Sequence, residues 1–406
     1  MKPAHRSSRH LARLLVTGAL LLSLAAAGTA AGATPAAPRT VWPWQDIMTE
    51  GFEAGFPTPG WYVYDQDGAT NGDYYWGAVD CMHRSGSHSA WGTGAGADAG
   101  GLTCGGYPPD NARSWMVYGP FDLSPFTDAE LQFWLWNFSA TSDILYWRAS
   151  ADGMTWVTGG QHSGVTGPEY TPEWEQFTFD LGPWTGDSSV WVAWYFNTDD
   201  DKTIEGPYVD DIVLRGLPAQ AVFRSAAAND GWVRESTEMS SVGGARNSVG
   251  VTCRVGDDAL DRQYRSILDF QTRSLPDDAV IIGAVLEIKG AGGTGTNPTL
   301  THGSFTADIR TGAFHSVAAL EAQDFQAAPT LRQAARFGPL STDGWYRAVL
   351  SAEALPLINT TGRTQVRLRF TTGDDDDEVA DYLAFVCGDA LGRARRPALR
   401  VAYLLP

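Results

Sequence analysis

The chain of 406 residues is short of positive charge: 29 Lys and Arg stand against 47 Asp and Glu, a formal net charge of −18. Such a surface repels phosphate and disfavours a nucleic-acid partner. Charged residues of both signs make up only 19% of the chain, yet it holds 16 Trp, which argues against disorder. The charged helix formers are scarce beside 45 Gly and 22 Pro, which argues against long helical arrays. Beyond the amino terminus no stretch approaches the roughly 18 apolar residues of a membrane helix. HExxH, CxxC and GxSxG patterns are all missing, so zinc-hydrolase, paired-thiol and nucleophile-elbow chemistry find no support. A glycosidase needs two positioned carboxylates, and an acid-rich chain offers too many pairs to choose between. No catalytic residue is therefore assigned.

Residues 1–33 have the order of a secretory signal. Lys2, Arg6, Arg9 and Arg13 form a basic start, Leu14 to Ala27 an apolar run, and Ala31-Gly32-Ala33 a small-residue cleavage site. The apolar run is too short for a comfortable membrane span. Removing this segment takes four positive charges away, from −18 to −22. Export to an extracellular compartment favours disulfides among Cys81, Cys104, Cys253 and Cys387. Four cysteines allow three pairings, of which Cys81–Cys104 with Cys253–Cys387 keeps each bridge inside one half.

The halves differ in chemistry. Val41 to Pro218 carries 5 basic and 25 acidic residues and 14 Trp, whereas Ala219 to Pro406 carries 19 basic and 22 acidic residues and two Trp. The break falls at Arg215-Gly216-Leu217-Pro218-Ala219, which is expected to be a linker. Residues 34–46, rich in Ala and Pro at their start, form an extended lead-in. Modules are expected over 47–217 and 218–406.

Both halves have β patterning. Residues 131–136 and 189–196 are apolar on both faces, as in central strands. Further strands are expected at 208–214, 280–288, 365–370 and 398–403. Within 365–370 the alternation is strict, with Val366, Leu368 and Phe370 inward and Arg367 and Arg369 outward. One short helix is expected near 317–323, from Val317 and Leu320 at i,i+3. The fold class is all-β, two antiparallel sandwiches of jelly-roll type behind a signal peptide.

The motifs Phe52-Glu53-Ala54-Gly55-Phe56, Asn71-Gly72-Asp73-Tyr74-Tyr75-Trp76, Ser85-Gly86-Ser87-His88-Ser89, Ser114-Trp115-Met116, Leu145-Tyr146-Trp147 and Tyr208-Val209-Asp210-Asp211 follow one another in order. This half resembles the MAM-like jelly-roll modules of immune-inhibitor-A-type secreted proteins. Arg262 to Phe270, Leu275-Pro276-Asp277, Asp324-Phe325, Ala380-Asp381-Tyr382-Leu383 and Arg396-Pro397-Ala398-Leu399 resemble DNRLRE-type extracellular β-sandwich modules. The first resemblance implies a structural calcium ion shared by Glu53, on the first strand, and Asp210 or Asp211, on the last. Neighbours on a strand face opposite ways, so one of the two Asp would ligate through its side chain.

The residues themselves suggest further sites. Asp199-Asp200-Asp201 and Asp374-Asp375-Asp376-Asp377-Glu378 are acidic loops that a cation or solvent must screen. Trp134 and Trp136 share a strand face, and Trp191 and Tyr195 face opposite to Trp194. An indole stacked on a sugar ring makes a glycan platform, and Trp134, Trp136 and Trp194 are the candidates, with core packing as the rival role. Arg262, Arg265, Arg367 and Arg369, on expected strands, are assigned to ion pairs rather than to an anionic ligand. The function expected is that of a secreted, non-catalytic binding or adhesion protein recognising an extracellular glycan or cell-surface polymer. A secreted hydrolase of polysaccharide or protein and a structural envelope or matrix component are the alternatives.

Overall fold

The computed structural model describes residues 43–168 and 171–405. The expected signal and residues 34–42 of the lead-in lie outside them. Gln45 and Asp46, the end of that lead-in, already belong to a strand. The strands of the first half are β1 (Gln45–Glu50), β2 (Trp61–Asp65), β3 (Tyr75–Val79), β4 (Ser89–Ala95), β5 (Arg113–Phe121), β6 (Phe126–Phe138), β7 (Ile144–Ser150), β8 (Val157–His162), β9 (Glu175–Asp180), β10 (Val190–Asn197) and β11 (Gly206–Arg224). Those of the second half are β12 (Gly231–Glu235), β13 (Gly243–Asn247), β14 (Thr252–Gly256), β15 (Tyr264–Phe270), β16 (Val280–Thr294), β17 (Phe305–Thr311), β18 (Leu331–Arg336), β19 (Trp345–Val349), β20 (Thr364–Phe370), β21 (Tyr382–Val386) and β22 (Ala398–Leu404). A single short α-helical turn, α1 (Pro298–Thr301), sits between β16 and β17 among the described residues, and the other helical pieces are 3₁₀ turns. None of the described helices is long and apolar enough to cross a membrane.

The pairing is antiparallel and all-β, as the patterning requires. In the first half one sheet runs β3-β4-β11-β6-β9, with β1 beside the middle of β11. The facing sheet runs β2-β5-β10-β7-β8. Their inward residues, among them Phe133, Leu135, Met116 and Trp194, are buried in one core. In the second half β11, β22, β16 and β19 form one layer and β13, β12, β15, β20, β17 and β18 the other, around a second core that includes Leu286, Leu368 and Phe385. The long β16 also pairs with β21, which pairs with β14, and so joins the layers.

The segment 215–219, expected as a linker, is strand. Through Pro218 β11 pairs with β6, and from Ala219 it pairs with β22. Pro218 lacks an N–H and stands at the changeover, where the register against β6 shifts. The composition break is therefore a change of partner along one continuous strand. The disulfides are Cys81–Cys104 and Cys253–Cys387, and no free cysteine remains among the described residues. Cys253 on β14 and Cys387 just after β21 lie on neighbouring strands and are buried in the second core.

The expected helix at 317–323 does not form. Val317 is exposed while Leu320 is buried, and the segment instead ends in a 3₁₀ turn at Ala322–Phe325. Leu320, Phe314 and Phe325 pack on Val233 and Ile267, outward residues of β12 and β15. This segment covers Gln365 and Arg367 on the outer face of β20, while Val366, Leu368 and Phe370 face the second core and Arg369 is buried against Asp308, so all seven residues of β20 are buried. Arg262, expected on a strand, precedes β15 and pairs with Asp258.

Two buried carboxyls give stability a pH dependence. Burial lifts Asp143 and Asp230 to about 6, from an ordinary value near 4. Each has one oxygen without a donor, Asp143 Oδ2 and Asp230 Oδ1. Because the folded values lie above the unfolded ones, protonation favours the folded state. That stabilisation is complete below pH 4 and is lost as pH rises through 6. Each group contributes on the order of 2 kcal/mol. The melting temperature, measured with chelator present, is expected to rise from pH 8 to pH 5.5. Asp230→Asn and Asp143→Asn should each flatten that rise, and a profile unchanged by both variants would contradict the assignment.

Candidate functional site

Alternation along β2, β5, β7 and β10 sends every second side chain out of the five-stranded sheet. Register then aligns those residues. Tyr64 lies opposite Trp115, Trp115 opposite Tyr195, and Tyr195 opposite Tyr146. The four rings form one stacked row across four strands. Tyr64 and Trp115 are 5.9 Å apart and inclined by 4°, Trp115 and Tyr195 4.4 Å and 25°, Tyr195 and Tyr146 6.0 Å and 18°. The turn after β7 brings Trp156 against Trp115 at 5.4 Å. Next to the row, Val117 and Ala193 are buried and Tyr62 is exposed.

Polar groups anchor this face. Trp115 Nε1 donates to Gln66 Oε1 (2.9 Å) and the Tyr195 hydroxyl to Asn197 Oδ1 (2.8 Å). Burial pushes the Tyr62, Tyr64 and Tyr195 phenols above their ordinary value, so they stay neutral donors at physiological pH. Arg148 on β7 lays its guanidinium over Tyr146 (4.8 Å), Tyr195 (5.0 Å) and Trp115 (5.4 Å). Among the described residues it forms no ion pair, and its Nε is buried without a hydrogen-bond partner. In so acidic a module, a cation held by aromatic rings and left without a carboxylate leaves its fork of donors for another molecule.

The opposite sheet presents a different surface. Trp136 is buried in a cluster with Trp91 and Tyr208, on the side where the 81–104 disulfide loop lies. Trp134 is half-buried beneath the Arg84 guanidinium, 3.8 Å from its ring. Trp194, expected as a ligand contact, has no exposed surface and lies between the sheets against Trp61 and Phe133. The inward–outward phase of Trp191, Trp194 and Tyr195 is as expected. The outward phase belongs to Tyr195 and its neighbours in register, of which Tyr195 and Trp115 are buried in the row and Tyr64 is exposed. No single motif announces that row, because it gathers one residue from each of four strands.

Glu53, Asp210 and Asp211 gather around the loop 84–88. Glu53 accepts from the Ser87 hydroxyl and from the Ser87 and His88 N–H groups, which hold its carboxyl at about 2. Asp210, fully buried, accepts from the N–H groups of Arg84, Ser85 and Asp211. Asp211 accepts from the Ser85 hydroxyl and pairs with Arg84 at 3.5 Å. Every one of these six carboxylate oxygens has a protein donor. Through these contacts the trio clamps the loop 84–88. Of the acidic loops, Asp199 and Asp201 form a local turn in which Asp201 N–H donates to Asp199. Asp375 and Asp377 come together with Asp257, His302 and Asp381, while Asp374 and Asp376 stand outside that grouping.

No protein-family model and no curated protein matches the chain. Among solved structures, the K1 cleaved adhesin domain of Lys-gingipain from Porphyromonas gingivalis is similar at 17% identity, over 42% of this chain and 97% of that one, with a TM-score of 0.31. The module TmCBM61, solved with β-1,4-galactotriose, is similar at 13% identity over 40% of this chain and 92% of that one, with a TM-score of 0.27. The CBM22-1–CBM22-2 tandem domain of Paenibacillus barcinonensis Xyn10C is similar at 10% identity over 88% of this chain and 98% of that one, with a TM-score of 0.26. At these scores the likenesses carry nothing about what this chain binds.

Proposed function

We propose that the chain is a secreted, non-catalytic glycan-binding protein and that the outer face of the β2-β5-β10-β7-β8 sheet is its binding face. The observation that carries the reading is the stacked row Tyr64–Trp115–Tyr195–Tyr146 with Arg148 laid over it and without an ion pair among the described residues. Sugars offer apolar C–H faces to aromatic rings and hydroxyls or carboxylates to a guanidinium fork. Trp156 and Tyr64, at the margins of the row, have accessible ring surface for the first kind of contact. Arg148 supplies the second kind. The two disulfides suit an oxidising compartment, in keeping with export.

The test is retention of the whole protein on a polysaccharide panel and a glycan array. Wild type is expected to bind at least one glycan class. Trp156→Ala and Arg148→Gln should each weaken that binding about tenfold or more, with the fold verified by circular dichroism. Absence of retention on every glycan, or undiminished binding by both variants, would overturn the reading.

A further inference from the structure

At one end of the second sandwich, three connections converge: β14 to β15, β16 to β17 (which includes α1), and β20 to β21. They bring together Asp257, Asp261, His302, Asp375, Asp377 and Asp381. Ligand atoms of Asp375, Asp377 and Asp381 lie within 4.8 Å of one another, as do those of Asp257, His302 and Asp375. Among the described residues no Lys or Arg pairs with any of these acids. Like charges so close are mutually destabilising unless a cation or a proton intervenes.

The backbone holds one oxygen of several of these carboxylates and leaves the other free. Asp381 Oδ1 accepts from Thr296 N–H (2.6 Å), Asp257 Oδ1 from Asp381 N–H (2.9 Å) and Asp377 Oδ1 from Val379 N–H (2.8 Å). Asp261 ties the loops together by accepting from Glu378 N–H (3.1 Å). Asp381 is fully buried, yet its Oδ2 has no hydrogen-bond donor, and neither has the buried Asp375 Oδ1; Asp257 Oδ2, also buried, meets only His302 Nε2 at 3.3 Å. An orphaned carboxylate oxygen inside a protein is destabilising unless something positive meets it. The loops approach closely by way of two glycines. A Cβ at Gly295 (φ +67°) would stand 1.8 Å from Asp381 Oδ1, and one at Gly256 (φ +126°) would stand 2.1 Å from the Asp381 carbonyl oxygen.

We propose that Asp375, Asp377 and Asp381 bind one divalent cation, calcium, that fastens these loops. The three supply only oxygen, and their spread is one that a calcium shell of about 2.3–2.6 Å radius spans. Asp377 is exposed, which leaves the outward side of the shell to water. Asp257 and His302 form the layer behind Asp375. His302 engages Thr301 Oγ1 through Nδ1 (2.7 Å) and brings Nε2 to 3.3 Å from Asp257 Oδ2, so the pair orients the ligand from the buried side. This site is separate from the aromatic face and does not depend on the glycan reading.

The experiment is isothermal titration of the chelator-treated full chain with CaCl2, and separately with MgCl2 and ZnCl2, with a melting curve at each saturating concentration. Calcium is expected to bind and to raise the melting temperature. Asp375→Asn and the exposed Asp377→Asn should each weaken calcium binding about tenfold or more. Asp200→Asn, in the other acidic loop, should leave it unchanged. Asp377→Asn keeps the test decisive if a variant at a more buried position fails to fold. Absence of calcium binding, binding undiminished in both variants, or zinc binding without calcium binding would each overturn the proposal. The last outcome would place a metal on the His302 side instead.

Discussion

Trp194→Ala is expected to lower the unfolding free energy by about 3–5 kcal/mol. Trp194 has no exposed surface and stands between the two sheets of the first sandwich, 5.8 Å from Trp61 and 5.4 Å from Phe133 across ring centroids. Alanine would leave a cavity that two hydrogen-bonded sheets cannot collapse to fill. Trp194→Phe separates packing from polarity. The Trp194 Nε1 is buried with no acceptor, so replacing the indole removes an unsatisfied donor while keeping an aromatic ring. That variant should cost less than about 1.5 kcal/mol. Denaturant titration of both variants measures the difference. Glycan retention by Trp194→Phe should equal that of wild type, because the side chain faces away from the proposed binding face. A loss of binding without a loss of stability would return Trp194 to the ligand site.

The second large effect belongs to Arg367 in the other sandwich. Its guanidinium donates to Asp308 Oδ2 (2.8 Å) and to the carbonyl oxygens of Asp324 (3.0 Å), Phe325 (3.1 Å) and Ala327 (2.7 Å). Arg369 shares Asp308 at 3.1 Å, and Arg265 also donates to the Phe325 carbonyl. Burial, and then Arg367 and Arg369, push Arg265 down to about 9, so the cluster is crowded with positive charge. Its worth lies in the carbonyls it satisfies. Arg367→Met removes the Arg367 donors to the Asp324 and Ala327 carbonyls, one of two arginine donors to the Phe325 carbonyl, and one ion-pair partner of a fully buried carboxylate. Breaking a buried pair from one side costs about 3–5 kcal/mol. Arg367→Lys should recover part of this, since an ammonium cannot fork between carboxylate and carbonyls. Hydrogen exchange should show Ala322–Phe325 opening first in Arg367→Met. A variant within about 1 kcal/mol of wild type would show that the covering segment is held by its apolar contacts alone.

Much of the fold was legible beforehand. Apolar runs at 131–136 and 189–196 became β6 and β10, and the alternation in 365–370 became β20. Side-chain phase was legible too, because a strand's period is two whatever its partner. What lay on the far side of each strand was not legible. Arg367 and Arg369 looked outward-facing, and they do leave the core, but 313–328 folds over Arg367, and Arg369 is buried beside it against Asp308. The linker at 215–219 was misplaced for a related reason. Composition changes there because the strand leaves one sandwich for the other, and the chain does so without a turn.

The candidate sites divide in the same way. Asp375 and Asp377 were visible as part of an acidic run, but Asp257, His302 and Asp381 join them only because three connections meet at one end of a sandwich. Tyr64, Trp115, Tyr146 and Tyr195 are scattered over more than a hundred residues and become one row through register. Sequence alone determined the all-β class, the two chemically distinct halves and the faces of individual strands, because these follow from local periodicity and composition. Tertiary structure decided which aromatic residues line up in one row, which carboxylates converge and which arginines are buried, because burial and charge balance depend on residues brought close only by sheet pairing and loop packing.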